Sequence, residues 1–297
     1  MTRSMYLALL GIGAVWGLTI PLIKIAATAG HHPFALVFWQ LAIAMVVLAV
    51  ILLATRQGLG FSRKHLPFYL LIAGLGTLVP NSFSFASAAH LPAGILAMNI
   101  AWVPMFAMPF ALLLGLEKPE ARRFAGLGLG AIAVIMILAP DAALPAGIAA
   151  IWIFVALASP LCYGLEGNLV AKIGTRGLTP IQVIFGSSVV GTIIAFPFAA
   201  TGERWVNLAE LPPGTWAILG NGVLHGVAYS GYIFLVGRAG PVFSSQVAYV
   251  VTGFGVFWSM VILGERYSLW VWAAFLVLFL GLTLVQPRPT VADRKLA

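Results

Sequence analysis

The sequence predicts an all-α, polytopic membrane protein of ten transmembrane helices, built as two inverted five-helix repeats with both termini in the cytoplasm. Three observations predict it: an apolar fraction too large for an aqueous core, a self-similarity at a near-constant offset, and a lopsided distribution of basic residues. Of 297 residues, 61% are hydrophobic and 8% are charged, against about 25% charged in an ordinary globular domain. No single core of this length hides that much apolar surface, so the solvent must be hydrocarbon. Residues 92–116, from Pro92 to Leu116, carry no charge at all, more than the roughly 20 apolar residues that cross a bilayer.

Apolar runs between charges and Pro, Gly or polar punctuation define the spans in order. The first, 4–28, follows Arg3 and ends at Ala27-Thr28-Ala29, which superficially resembles a signal-peptide cleavage site. It is long for a signal h-region and the repeat requires it, so it reads as a retained span. The second, 34–55, runs from Pro33 to Arg56, and the third, 66–89, from Lys64 to the tight turn His90-Leu91-Pro92. The fourth, 92–116, contains Pro104 and Pro109, which remove helix hydrogen bonds and predict a kink. The fifth, 123–140, is short and rich in small residues (Gly126, Gly128, Gly130, Ala131), suiting close helix packing. The sixth, 147–171, stops at Lys172; the seventh, 179–200, and the eighth, 213–237, follow. The turn Arg238-Ala239-Gly240-Pro241 leads into the ninth, 240–264, and the tenth covers 268–287. The first repeat is thus 1–140, the second 147–287, and 288–297 is a polar cytoplasmic tail.

The net charge of +8 belongs to topology rather than to a nucleic-acid partner. One side of the membrane collects Arg3, Arg56, Arg63, Lys64, Lys118, Arg122, Arg123, Lys172, Arg176, Arg238, Arg288, Arg294 and Lys295. The other side has only Lys24, Arg204 and Arg266, and thirteen plus three accounts for all sixteen Lys and Arg. The positive-inside rule puts the basic side in the cytoplasm. A single cysteine, Cys162, excludes an internal disulfide and argues against a cysteine-based metal or redox centre.

The halves also match each other. Trp16-Gly17-Leu18 aligns with Tyr163-Gly164-Leu165, and Pro33–Phe38 with Pro180–Phe185, both at an offset of 147; Leu116-Glu117-Lys118 aligns with Gly264-Glu265-Arg266 at 148. Five is odd, so two such halves enter the membrane in opposite orientations, a construction found in many secondary transporters. The charges respect the inversion: His90 after the third span lies outside, whereas its partner Arg238 after the eighth lies inside.

Trp16, Gly17 and Lys24 near the start, the Pro104-containing fourth span ending in Leu116-Glu117-Lys118, and the echo Gly264-Glu265-Arg266 resemble the EamA family of the drug/metabolite transporter superfamily. The resemblance covers nearly the whole chain, as two consecutive EamA-like halves, and is greatest to the bacterial aromatic amino acid exporters. It implies a ten-helix carrier of the bacterial inner membrane that exports small metabolites, expected to be aromatic or neutral amino acids, by alternating access through a central cavity. No cofactor and no nucleic acid are expected; the expected partners are a small-molecule substrate and the lipid bilayer, with function as a monomer. The second half departs from the signature: Tyr163 replaces the Trp, and Lys172 is displaced by one position, so no lysine role carries across.

The candidate site residues come from polar spacing. In the eighth span Asn221, His225, Tyr229 and Tyr232 fall at i, i+4, i+8 and i+11, one stripe of a helix. The offset of 148 maps His225, Tyr229 and Tyr232 onto Thr77, Asn81 and Ser84. The fourth and ninth spans add Asn99 with Trp102 and Gln246 with Tyr249, each at i, i+3. Four polar faces at matched depths predict a substrate cavity lined by Trp16, Thr77, Asn81, Asn99, Trp102, Tyr163, His225, Tyr229, Gln246 and Tyr249. The bland alternative is interhelical hydrogen-bond glue, worth about 0.6 kcal/mol a bond. Charged groups in hydrocarbon are costly, which makes Glu166 and Lys24 candidates for coupling. The ordinary pKa of His225 adds it to that set; for Lys24 the competing expectation is snorkelling to the headgroups. Pro92, Pro104, Gly240 and Pro241 are the expected gate and hinge residues of the 3–4 and 8–9 hairpins.

Several functions are excluded or disfavoured. There is no G-x-x-x-x-G-K-[ST] and no H-E-x-x-H, and both aspartates, Asp141 and Asp293, lie outside the spans. An intramembrane enzyme is therefore the remote alternative, and a carrier for another metabolite or drug the near one.

Overall fold

The computed structural model describes residues 3–138, 150–201, 205–206, 212–239 and 246–285. Among them all regular structure is helical. The helices are α1 (Arg3–Thr28), α2 (Pro33–Ala54), α3 (Leu66–Ile72), α4 (Val79–Ala88), α5 (Ala93–Ile100), α6 (Val103–Leu113), α7 (Ala121–Leu138), α8 (Ile151–Ile173), α9 (Pro180–Ala199), α10 (Pro213–Ala239), α11 (Val247–Leu263) and α12 (Leu269–Val285). Among the described residues six apolar helical stretches have the length to cross a bilayer: α1, α2, Arg63–Ala88, Ala93–Leu113, α8 and α9; α11 and α12 are apolar but shorter. The described helix ends fall within a few residues of the sequence-derived spans, except that α11 begins at Val247 where the ninth span was expected from 240. Gly240 and Pro241 of the expected second gate, and the tail 288–297, lie outside the described residues.

Two spans are irregular, and proline accounts for both. The third runs through a 3₁₀ turn (Arg63–His65), α3, a π-helical segment (Ala73–Leu78) and α4. Pro80 follows that segment directly. A proline lacks the N–H of its turn and collides with the carbonyl four residues back, here Gly76. The wider π turn relieves that collision, and the Val79 amide reaches back five residues to the Gly74 carbonyl. The fourth span breaks at Ala101-Trp102 into α5 and α6, with Pro104 in the first turn of α6, so the expected kink takes the form of an interruption.

The packing is reciprocal. α1 lies against α10 and α11 of the second half, while α8, its counterpart, lies against α4 and α6 of the first. α2 packs on α9, α5 on α11 and α7 on α12, each on its own equivalent. Exchanging the two halves therefore reproduces the main contacts. Glycine makes the crossings possible: a Cβ at Gly17 would stand 2.8 Å from the Gly255 nitrogen, and one at Gly164 2.8 Å from the Ala107 nitrogen. Both residues are the glycine of the repeated motif.

Minor contacts seal the ends. Thr179 and Gln182 form a capping box at the start of α9, and the Gln182 amide also donates to the Gly58 carbonyl (2.6 Å), tying down the loop after α2. Arg122 Nη2 donates to the Thr283 carbonyl at 3.1 Å, joining α7 to α12.

Gly17→Ala and Gly164→Ala are each expected to cost about 1–3 kcal/mol by overpacking backbone against backbone. Gly11→Ala, whose Cβ would meet nothing within 4 Å, is the control. Melting in detergent followed by intrinsic fluorescence reads the difference; equal Tm values for all three would refute the close approach.

Candidate functional site

The motif glycines set the residue before each of them at the centre. Gly17 brings Trp16 onto the polar stripe of α10, where its ring centroid lies 6.4 Å from His225, 5.5 Å from Tyr229 and 5.9 Å from Tyr232. His225 and Tyr229 are 5.7 Å apart, and Tyr229 and Tyr232 stack at 6.3 Å with 24° between planes. In the other half Gly164 brings Tyr163 onto α4. Its hydroxyl donates to Asn81 Oδ1 at 2.8 Å, and Asn81 Nδ2 donates to Gln40 Oε1 at 3.1 Å. This chain of polar groups joins α8, α4 and α2.

Glu166 lies one turn beyond Tyr163 on α8, within electrostatic range of Tyr163, Tyr229 and Tyr232. Its carboxylate faces Gly76 of the π segment, where a Cβ would stand 2.9 Å from Oε1. Glu166 and His225 are both only 8% exposed. Neither makes a hydrogen bond or ion pair among the described residues, and the same holds for the hydroxyls of Tyr229 and Tyr232. None of these polar atoms is sealed off by protein, in contrast to both amide atoms of Asn221, which are buried without a partner. They therefore keep a small accessible area.

The structure uses other expected cavity residues differently. Thr77 donates to the Ala73 carbonyl (2.8 Å) inside the π segment. Ser84, the equivalent of Tyr232, pairs with Ser159 at 2.9 Å, and Ser159 donates to the Pro80 carbonyl at 2.5 Å. Asn99 donates to the Ala156 carbonyl at 2.6 Å. Pro160 lies inside α8 and has no N–H to offer that carbonyl, so Asn99 supplies the missing donor from the neighbouring helix. Asn99 and Trp102 line a small cleft of about 20 Å³ between α5, α7 and α8, together with Met98, Val134, Ile153 and Leu157. The Gln246 carbonyl opens α11 by accepting from the Tyr249 amide (3.1 Å), and the Tyr249 ring packs on Phe279 of α12 at 5.4 Å. Sequence spacing had marked neither Gln40 nor Ser159. A solitary amide in the otherwise apolar α2 was the available signal for Gln40.

A second group of contacts grips the turn between α4 and α5. Glu265 Oε1 accepts from the Ala93 amide at 2.8 Å and Oε2 from the Gly94 amide at 3.1 Å, capping α5 just after Pro92. A carboxylate there also answers the positive end of the helix dipole. The Tyr267 hydroxyl accepts from the Gly94 amide at 2.9 Å and donates to Glu265. Burial first, then the hydrogen bond to Glu265, push the Tyr267 pKa up, so the phenol stays protonated. Lys24 Nζ donates to the Ala89 carbonyl at 3.5 Å, so this side chain reaches into the turn rather than only to the headgroups. His90 stacks on Trp152 at 3.7 Å. Glu117, the repeat equivalent of Glu265, instead pairs with Arg123 at 3.0 Å.

This architecture has known counterparts. The model of the EamA-like transporter family matches the chain twice, over residues 3–139 and 150–286. The chain belongs to the EamA-like transporter family. Among curated proteins it is similar to the uncharacterized inner membrane transporter YedA of Escherichia coli K12, with 24% identity over 283 residues, 94% of this chain and 89% of YedA. The YedA of Escherichia coli O157:H7 matches to the same extent. A solved crystal structure has the same fold, with a TM-score of 0.67 and 17% identity over 99% of both chains. As an EamA-like protein the chain is a multi-pass membrane protein of a transporter family, and the duplicated match parallels its two sets of helices.

The role of Asn99 is testable by a double-mutant cycle. Asn99→Ala should cost about 1–3 kcal/mol by orphaning the Ala156 carbonyl. In a Pro160→Ala background, where the helix supplies its own N–H, the same change should cost close to nothing. Additive losses in thermal melting would refute the pairing.

Proposed function

We propose that this EamA-like protein is a secondary carrier exporting small metabolites, most plausibly aromatic and neutral amino acids, by alternating access. The observation that carries the reading is a set of polar groups without a partner among the described residues: the Glu166 carboxylate, the His225 ring and the hydroxyls of Tyr229 and Tyr232, the last three beside Trp16. Buried polar groups in hydrocarbon are ordinarily satisfied by protein, and a solute or water is what remains to satisfy these. Aromatic rings with few fixed charges suit a permissive site of modest affinity, adequate for export from a concentrated interior.

In this reading ten spans cross the bilayer, the halves are inverted, and the thirteen-to-three distribution of Lys and Arg keeps both termini cytoplasmic in a bacterial inner membrane. The 3–4 hairpin is then the outer gate and the 8–9 hairpin the inner one. Glu265, Tyr267, Lys24 and Trp152 hold the outer gate shut, with the break at Ala101-Trp102 before Pro104 as its hinge. Glu166, His225 and Lys24 are the coupling candidates. The central site needs no second copy, consistent with a monomeric carrier.

Counterflow into proteoliposomes of a panel of labelled amino acids tests the substrate class. Tyr229→Ala should reduce exchange of the best substrate roughly tenfold, the value of an aromatic contact with its polar tip. Absence of counterflow for every amino acid would remove that substrate class. The gate is tested on a Cys162→Ser background with His90→Cys and Trp152→Cys, joined by a short bismaleimide. Crosslinking should abolish exchange, and undiminished exchange would refute the gate.

A further inference from the structure

Glu166 poses a charge problem that the protein itself leaves open. It is buried on α8, about two turns from the end of that helix at Ile173, in a chain with only 8% charged residues, and no cation accompanies it among the described residues. An isolated carboxylate in hydrocarbon is costly, and it is tolerated when a proton or a bound cation neutralises it. On one side the carboxylate is packed closely against backbone. Gly76 presents bare backbone to both carboxylate oxygens, with a Cβ there falling 2.9 Å from Oε1 and 3.3 Å from Oε2. The π segment that carries Gly76 holds this surface in place, since Pro80 fixes the wide turn.

The groups within electrostatic range of this carboxylate are aromatic. Tyr229 and Tyr232 lie within electrostatic range of Glu166, and Trp16 packs on both at 5.5 and 5.9 Å between centroids. The Tyr163 hydroxyl is already committed to Asn81, whereas those of Tyr229 and Tyr232 have no partner among the described residues. Two carboxylate oxygens beside aromatic faces are the chemistry of ammonium recognition: the oxygens accept N–H bonds and the ring quadrupoles attract the remaining charge. A divalent metal is not favoured, because the described residues contain no group of three His, Cys, Asp or Glu that could hold one. An anionic group is repelled.

We propose that Glu166, with Trp16, Tyr229 and Tyr232, forms a subsite for the primary ammonium group of a substrate that carries an aromatic or apolar body. The proposal deepens the carrier reading and rests on it. It also makes a sharper statement about specificity. The described residues place no cation beside Glu166 to receive a carboxylate, so an amine lacking that carboxylate binds at least as well as the corresponding amino acid.

The experiment is calorimetric titration of the purified full-length protein with phenethylamine, L-phenylalanine and 3-phenylpropanoate, which share a ring and differ in charge. The expected order has phenethylamine at least equal to L-phenylalanine, and both ahead of 3-phenylpropanoate. Glu166→Gln should weaken phenethylamine about tenfold or more, the loss of a charge-assisted bond, while Glu166→Asp keeps part of it. Wild-type affinity in a folded Glu166→Gln variant overturns the proposal, as does a wild-type preference for 3-phenylpropanoate. Should Glu166→Gln fail to fold, the wild-type order of the three ligands decides alone. Counterflow separates the two readings. Glu166-dependent amine binding without any counterflow refutes the carrier and leaves the subsite; amino acid counterflow unchanged in Glu166→Gln refutes the subsite and leaves the carrier.

Discussion

A single methyl group is too large for the contact between α1 and α11 at Gly17, and equally for that between α8 and α6 at Gly164. Van der Waals packing is the principal force between helices in a bilayer, because lipid tails are as apolar as leucine. Backbone-to-backbone approach at these two points is what lets each half embed its first helix in the other. The residue before each glycine is carried inward with it, so Trp16 meets the α10 stripe and Tyr163 meets Asn81. The same dipeptide position thus builds the scaffold with one residue and furnishes the centre with the other. The halves differ in what they furnish: a ring cluster on one side, a hydrogen-bonded chain on the other.

A second constraint operates locally. Hydrocarbon offers no water to a carbonyl that a proline has left without its donor. Pro160 would strand the Ala156 carbonyl, and Asn99 reaches across from α5 to satisfy it. Ser159 adds a tie of a different kind, donating to the Pro80 carbonyl of α4, which no proline has stranded. The proline that loosens α8 is thus compensated by a polar side chain on a neighbouring helix. Both ties fix interhelical register more tightly than apolar packing alone.

Much of the fold was legible in the sequence because hydropathy is a local property and span length is dictated by bilayer thickness. Helix ends from Arg3 to Val285 follow the apolar runs closely, and the repeat identified Gly17 and Gly164 as equivalent before any contact was known. The site was legible only in part. Spacing correctly placed His225, Tyr229 and Tyr232 on one face, since a regular helix conserves angular position. It could not say what that face meets, so Asn99, Thr77 and Ser84 were grouped with it although their donors satisfy carbonyls or another hydroxyl. Gln40 was passed over because one amide has no periodicity. Glu265 stood out as part of a repeated motif, but its hold on Ala93 and Gly94 joins elements at opposite ends of the chain, which spacing does not reveal.

The π segment at Ala73–Leu78 has a consequence for how this chain tolerates insertions and deletions. Each residue turns an α-helix by about 100°, and a π turn absorbs one residue more than the α turn it replaces. Losing one residue between 73 and 78 would restore an ordinary α turn while leaving composition and hydropathy almost untouched. Everything after it would swing by about that angle, carrying Asn81 away from Tyr163 and Gln40, and Ser84 away from Ser159. A lineage could therefore lose the polar centre of this protein through a three-nucleotide deletion that no hydropathy profile would register.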